Sequence, residues 1–338
     1  MFFEQPIFFE RNRVYRVYRG GKLFADFFGD EPEDGFYPEE WVASGVKALN
    51  EVSAGPKEGV SKLAGEDLYL DDALEQYARE ILGEKKELGV LTKILDSAIR
   101  LPMQAHPDKA FAKAHFGALH GKEESWVILA TRPGACVYYG FRDGVTRAEF
   151  DRAIDASETD PTAMERVAKS FPVKPGDVVY IPAKMLHAIG AGCLLLEVQE
   201  PTDFTVQPER LCGEKRLTDR EMYMGLDRQD ALDCFDYALT YPAPLARTPL
   251  ERSDGMKKEG LIGKAQTTSF TVNSITLTGG RYGLTAPAAV YVVIDGAGLL
   301  TGDGYERKVK KGDYFLLPAK AAGAFALTGE LTAIECFA

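Results

Sequence analysis

Residues 173–187, VKPGDVVYIPAKMLH, align without gaps on residues 309–323, VKKGDYFLLPAKAAG. Gly176, Asp177, Pro182, Ala183 and Lys184 match Gly312, Asp313, Pro318, Ala319 and Lys320. Upstream, WVILATRPGA resembles VYVVIDGAGL, with Gly134 facing Gly298. A chain that carries one unit twice folds into two like modules. Each copy reads as strand–turn–strand, an apolar run bounded by turn residues. The copies differ at polar positions: His187 becomes Gly323, and the alignment sets Ala288 opposite Glu124. Packing alone gives two like modules no reason to differ there, so the contrast marks a site in the first copy only.

The 338 residues suffice for two compact domains. We expect a boundary at the Pro-rich stretch YPAPLARTPL, dividing 1–240 from a second, all-β unit over 241–338. Residues 1–65 hold short strand-like runs that can pair with either unit. Apolar spacings of three and four predict helices near 66–100 (LDDALEQYAREILG, then ELGVLTKILDSAI), 145–170 (VTRAEFDRAIDAS, then PTAMERVAKSF) and 218–238. The fold expected is therefore mainly β with helical insertions.

A net charge of −11 argues against nucleic acid as a partner, because a phosphate backbone needs a basic face. A small phosphorylated ligand remains compatible, provided a local cationic pocket exists. No run approaches the ~18 apolar residues of a membrane span. The N-terminus carries Glu4, Glu10, Arg11 and Arg13 instead of the apolar core of a signal peptide. Five scattered cysteines without a CxxC pair fit reduced thiols, and the chain reads as cytoplasmic, a monomer or homodimer.

Four histidines occur: His106, His115, His120 and His187. Gln104 and His106, two apart, share a face of an extended segment. Glu124 opens the next strand, and His187 follows the repeated turn. Two imidazoles, a carboxylate and an amide oxygen make a borderline ligand set for one divalent metal, Zn²⁺ before Mn²⁺, Fe²⁺ or Co²⁺. A lone buried histidine is more often a hydrogen-bonded core residue; the convergence of four groups, stripped from the second copy, favours a metal. His115 and His120, in FAKAHFGALHGK, read as exposed or rim residues.

The glycine, the proline six residues on and the histidine five further resemble the second motif of the cupins, jelly-roll β-barrels, although cupins usually carry glycine where Lys184 stands. The resemblance implies two cupin barrels, the second without metal ligands. Within that fold the chain resembles the type I mannose-6-phosphate isomerases. The segments IRLPMQAHPDKAFAKAHFG, GKEESWVI and IPAKMLHAIGAGCLLLEVQ carry the likeness, with weaker echoes in YRGGKLFADFF and YPEEWVAS. It implies the same ligands, Gln104, His106, Glu124 and His187. It also implies catalytic roles for Glu197, Lys122 and Lys93. Lys93 is expected on an apolar helix face with Leu91, Ile94 and Leu95, and Lys109 and Lys113 are candidates to complete the cationic pocket. Ten residues beyond the glutamate the family has arginine; this chain has Gln207, leaving Gln207 and nearby Arg210 as candidates for substrate binding.

The implied activity is aldose–ketose isomerisation of mannose 6-phosphate and fructose 6-phosphate through a cis-enediol. Gln207 keeps open an isomerase or epimerase of another, unphosphorylated sugar. A non-catalytic sugar-binding cupin is a second alternative, and a cupin dioxygenase a remote third.

Overall fold

The computed structural model describes residues 1–51 and 54–338. Every strand pair is antiparallel. A six-stranded sheet orders Arg13–Val14, Glu39–Val42, Leu91–Ser97, Cys193–Gln199, Glu124–Thr131 and Val178–Ile181. Opposite it lies a three-stranded sheet of Ala168–Pro172, Cys136–Phe141 and His187–Ile189. An eight-stranded sheet forms the second unit, from Ile7–Phe8 through Tyr314–Leu317, Ala289–Gly302, Phe325–Phe337, Thr271–Leu284 and Met256–Ile262 to Thr248–Ser253, with Tyr305–Lys310 against Ala289–Gly302. The expected barrels are thus not closed: the first unit is two facing sheets and the second one continuous sheet. The N-terminal strands divide between the units: Ile7–Phe8 joins the second sheet and Arg13–Val14 the first.

Alternation along the six-stranded sheet explains how the units meet. Leu95, Trp126, Ile128, Val179, Ile181 and Leu195 point into the core shared with the three-stranded sheet. Their neighbours Ile94, Val127, Val178, Tyr180, Leu194 and Leu196 point the other way, onto Val290, Val292, Leu316 and Ile334 of the second unit. The sheet has an apolar partner on each face, so its strands read as continuous apolar runs rather than alternating ones.

That two-sided burial accounts for one helix expectation that fails. ELGVLTKILDSAI contains the strand Leu91–Ser97, not a helix, and all seven strand residues are buried. With both faces apolar the period is ambiguous, and the β-branched Val90, Thr92 and Ile94 favour the strand. PTAMERVAKSF likewise gives only a 3₁₀ turn, Ala163–Arg166, followed by the strand Ala168–Pro172. LDDALEQYAREILG is helical but breaks at Tyr77 into Leu70–Gln76 and Ala78–Leu82. The helix Arg147–Ala156 forms as expected, its start closed by a Thr146–Glu149 capping box. The third helical region gives Asp219–Tyr223 and Arg228–Leu232. Among the described residues no helix is long and apolar enough to cross a membrane.

The repeat is structural. Gly176 and Gly312 both take φ near +90°, and the amides of Lys174 and Lys310 donate to the carboxylates of Asp177 and Asp313. Glu124 pairs with Ile181 and Ala289 with Leu317, the repeat partner of Ile181. The counterpart of Glu124 is therefore Ala289, one residue beyond the Ala288 expected from the glycine-anchored alignment. The difference matters because a one-residue slip exchanges faces: Ala289 lies in the interior of the second unit and Ala288 in the core between units.

Lys184, at the position where glycine is usual in cupins, has φ +68°. Its amide donates to the carbonyl of His106 at 2.7 Å, so the strained turn is tied to a candidate ligand. Lys184→Gly is expected to raise stability by up to roughly 1 kcal/mol in urea unfolding, because glycine adopts this conformation without the Cβ clash.

Candidate metal centre and cavity

His106 and His187 are brought together by an isolated bridge: the Gln104 and His187 backbones exchange hydrogen bonds of 2.9 Å, while Ala105 pairs with Val206. The His106 Nδ1–H donates to the Phe204 carbonyl and the His187 Nδ1–H to the Met185 carbonyl, each at 2.8 Å. A carbonyl only accepts, so both rings are held in the tautomer whose bare Nε2 faces inward. The two Nε2 atoms lie 3.1 Å apart, with Glu124 carboxylate oxygens 3.0 Å from His106 Nε2 and 3.4 Å from His187 Nε2. All three side chains are buried and can hold one metal ion.

The donor set fits a cation. Two inward lone pairs and a buried carboxylate repel one another unless positive charge lies among them. Lys122 Nζ contributes some, at 3.0 Å from His106 Nε2 and 3.1 Å from Glu124 Oε2, although that oxygen has no partner with hydrogen-bond alignment. Burial, then the Lys122 charge, push the His106 imidazole down to about 3, so it stays neutral and able to ligate. Burial also lowers His187. Burial acts to raise the Glu124 carboxyl, but the Lys122 charge leads the opposing contacts that hold the group well below the usual range. Gln104 lies beside this cluster through its bridge to His187 and lines the adjoining cavity.

That cavity, about 440 Å³, is lined by Gln104, Lys122, Lys93, Glu197 and Gln207 among the expected residues. Lys93 comes from a strand directly opposite Glu197, and its Nζ lies 3.0 Å from Glu197 Oε1. The expected helix placement of Lys93 is corrected to a strand, where the buried ammonium finds a carboxylate partner. Trp126 Nε1–H bridges two carboxylates, at 3.1 Å from Glu124 and 3.3 Å from Glu197. Burial and the Glu124 charge raise the Glu197 carboxyl despite Lys93 and Lys122.

Three expected residues stand elsewhere. Arg210 does not line the cavity; its guanidinium is committed to Glu158, Asp219 and the Leu217 carbonyl. Lys109 pairs with Glu200 and Ser269, and Lys113 is exposed. Cations that do line the cavity are Arg16, Lys93, Lys122, Lys215, Arg216 and Arg220. His115 stacks on Phe111 and His120 pairs with Glu87, both outside the cluster. Gln207 donates its side-chain amide to the Glu221 carbonyl.

The sequence reading missed Arg16, Tyr18, Glu39, Trp41 and Asp203. Glu39 accepts from Tyr18 and Trp41 at 2.7 Å and pairs with Arg16 at 3.0 Å, while Lys93 Nζ lies 3.8 Å away. Asp203 pairs with Arg16 at 3.0 Å and lies 3.9 Å from Lys93. Glu39 and Trp41 fall within YPEEWVAS and Tyr18 opens YRGGKLFADFF, the two weaker echoes that pointed toward this wall.

Burial acts to raise the Glu39 carboxyl, but the Arg16 and Lys93 charges and its two donors bring it down to about 2 from an ordinary 4.5. A depressed carboxyl contributes stability that is complete above pH 4.5 and is lost as pH falls toward 2. The stability difference between the native chain and Glu39→Gln, from urea unfolding, should shrink across that window by up to about 3 kcal/mol.

Comparison with known proteins agrees with this geometry. The model of the mannose-6-phosphate isomerase cupin domain matches residues 264–338. A mannose-6-phosphate isomerase of Streptococcus mutans is 30% identical over 319 residues, 93% of this chain and 92% of the relative. Mannose-6-phosphate isomerase ManA of Bacillus subtilis is 28% identical over 334 residues, covering 96% of each chain. The crystal structure of the Bacillus subtilis mannose 6-phosphate isomerase superposes with a TM-score of 0.77 at 26% identity, over 98% of this chain and 99% of that one. Phosphomannose isomerase from Salmonella typhimurium, at 15% identity and a TM-score of 0.73 over 98% and 99% of the two chains, shares the fold. With a cupin architecture, a His–Glu–His cluster beside a cavity and full-length similarity to enzymes of this kind, the chain belongs to the mannose-6-phosphate isomerase family, aldose–ketose isomerases.

Proposed function

We propose that this enzyme interconverts mannose 6-phosphate and fructose 6-phosphate in the cytoplasm, using one zinc ion held by Gln104, His106, Glu124 and His187. The observation that carries the reading is the Lys93–Glu197 pair on the wall of the cavity that also holds Gln104 and Lys122. When bound, the metal supplies Lewis acidity for the vicinal oxygens at C1 and C2 of the open-chain sugar. Glu197 takes the proton from C2 of the aldose and returns it to C1, as one hydrogen passes from O2 to O1; the intermediate is a cis-enediol. Lys122 and Lys93 offset the negative charge that develops on the sugar oxygens. Trp126, bonded to both Glu124 and Glu197, keeps the metal ligand and the base in fixed relation. Gln207, with one amide hydrogen on the Glu221 carbonyl, offers the sugar its amide oxygen and its other hydrogen. Lys215, Arg216 and Arg220 on the cavity wall supply the cations that an acidic chain needs for a phosphate, which takes Lys215 and Arg216 over from Glu221 and Glu158. All five cysteines are free thiols, which supports a reducing compartment.

Metal analysis and a coupled assay on mannose 6-phosphate and free mannose, before and after chelation, test this reading. About one zinc per chain is expected, with turnover of the phosphosugar that disappears on chelation and returns with zinc. Equal efficiency on free mannose would instead identify an isomerase of unphosphorylated sugars. Glu197→Gln should retain the metal while losing at least ~100-fold in kcat, the scale of a positioned acid–base group; full turnover in that variant would remove Glu197 as the base.

A further inference from the structure

We propose that Arg16 is a positioning residue for this cavity: by holding Asp203 it keeps Lys93 committed to Glu197 and keeps the segment 46–51 folded over the cavity. Its side chain is only 12% exposed and packs 5.1 Å from the Trp41 ring centroid. Each guanidinium nitrogen has its own acceptor. Nε lies 3.0 Å from Glu39 Oε1, Nη1 donates to Asn50 Oδ1 at 3.1 Å, and Nη2 reaches the two Asp203 oxygens at 3.0 and 3.1 Å. Three acceptors from three parts of the chain meet one planar fork, a geometry that an ammonium cannot reproduce.

Two consequences follow from the charges. Glu39, Asp203 and Glu197 share Arg16 and Lys93 on this wall, and Lys122 acts on Glu197 alone from the metal side. Without Arg16, three carboxylates would compete for one ammonium, and Lys93 would be drawn from Glu197 toward Glu39 and Asp203, already 3.8 and 3.9 Å away. Asp203 also accepts from the Leu49 amide at 2.8 Å. Val46 and Ala48 pack against Trp41, Val14 and Leu91, but Leu49–Glu51 is held by polar contacts: Leu49 is 54% exposed, Asn50 bonds Arg16 and Glu58, and Glu51 accepts from Thr218 across the cavity at 3.1 Å. With Gln207 uncharged, Arg210 committed elsewhere and Arg216 and Arg220 exposed, Arg16 is, among the described residues, the one arginine lining the cavity that is not exposed.

The inference rests on the isomerase reading for its kinetic consequence only, so two measurements are made on the metal-loaded full chain with Arg16→Gln and Arg16→Lys. The first is kcat on mannose 6-phosphate per bound metal; the second is hydrogen exchange at the Leu49 amide. A merely structural role would lower thermal stability without moving kcat per loaded, folded chain. We expect Arg16→Gln to keep its metal, lose at least ~10-fold in kcat and exchange Leu49 at least ~10-fold faster, with Arg16→Lys between it and the native chain. If Arg16→Gln does not fold, Arg16→Lys alone decides by the same two readouts. Values within twofold of the native chain in both readouts would overturn the proposal. Should the native chain turn over no hexose 6-phosphate, the isomerase reading falls, and exchange at Leu49 still decides the clamp: faster exchange supports it and unchanged exchange refutes it.

Discussion

The six-stranded sheet has no solvent face, and the cavity depends on that constraint. One set of alternate side chains seals the contact with the second unit. The other set must then carry the polar groups that the sheet contributes to the site, including Lys93, Glu197 and Glu124, with no water behind it. Buried charges in that setting persist only in pairs or networks. The chain of contacts from Arg16 through Asp203 and Glu39 to Lys93, Glu197, Trp126 and Glu124 is the result. Removing one member leaves a buried charge unpaired, so the network is rigid as well as polar.

The second unit shows what the same frame becomes without a site. Glu335 pairs with Tyr291 across one strand and Asn273 across the other, as Glu197 pairs with Trp126 and Lys93. The carboxylate is retained, but its surroundings are closed. Tyr282 and Tyr291 donate to one oxygen, while Asn273 and Lys258 reach the other, all between 2.7 and 2.9 Å. In the first unit Glu197 Oε1 lies at ion-pair distance from Lys93 without hydrogen-bond alignment. A saturated carboxylate anchors a core; an incompletely satisfied one beside a cavity is available to a ligand.

Much of this was legible in the chain itself. The repeat foretold the matching turns at Gly176 and Gly312, and the loss of polar residues from the second copy pointed to the first for the candidate site. His106, Glu124 and His187 were identifiable because ligand chemistry restricts the residue types, and these stood beside turn signals that fix the backbone. The sequence also determined Lys184 as a departure from the glycine usual at its turn, which the structure explains as a left-handed residue.

What only the tertiary structure decided is the company those residues keep. The strand carrying Lys93 reads as helix because two-sided burial erases its period. Arg210 lies near Gln207 in sequence but is captured by Glu158 and Asp219, and Arg16, far away in the chain, reaches Asp203 instead. Local sequence encodes turns, periods and ligand types, because these depend on neighbours a few residues apart. Charge partners at a buried site are chosen by sheet order and register, which bring Arg16, Glu39, Lys93, Glu197 and Asp203 together from distant segments.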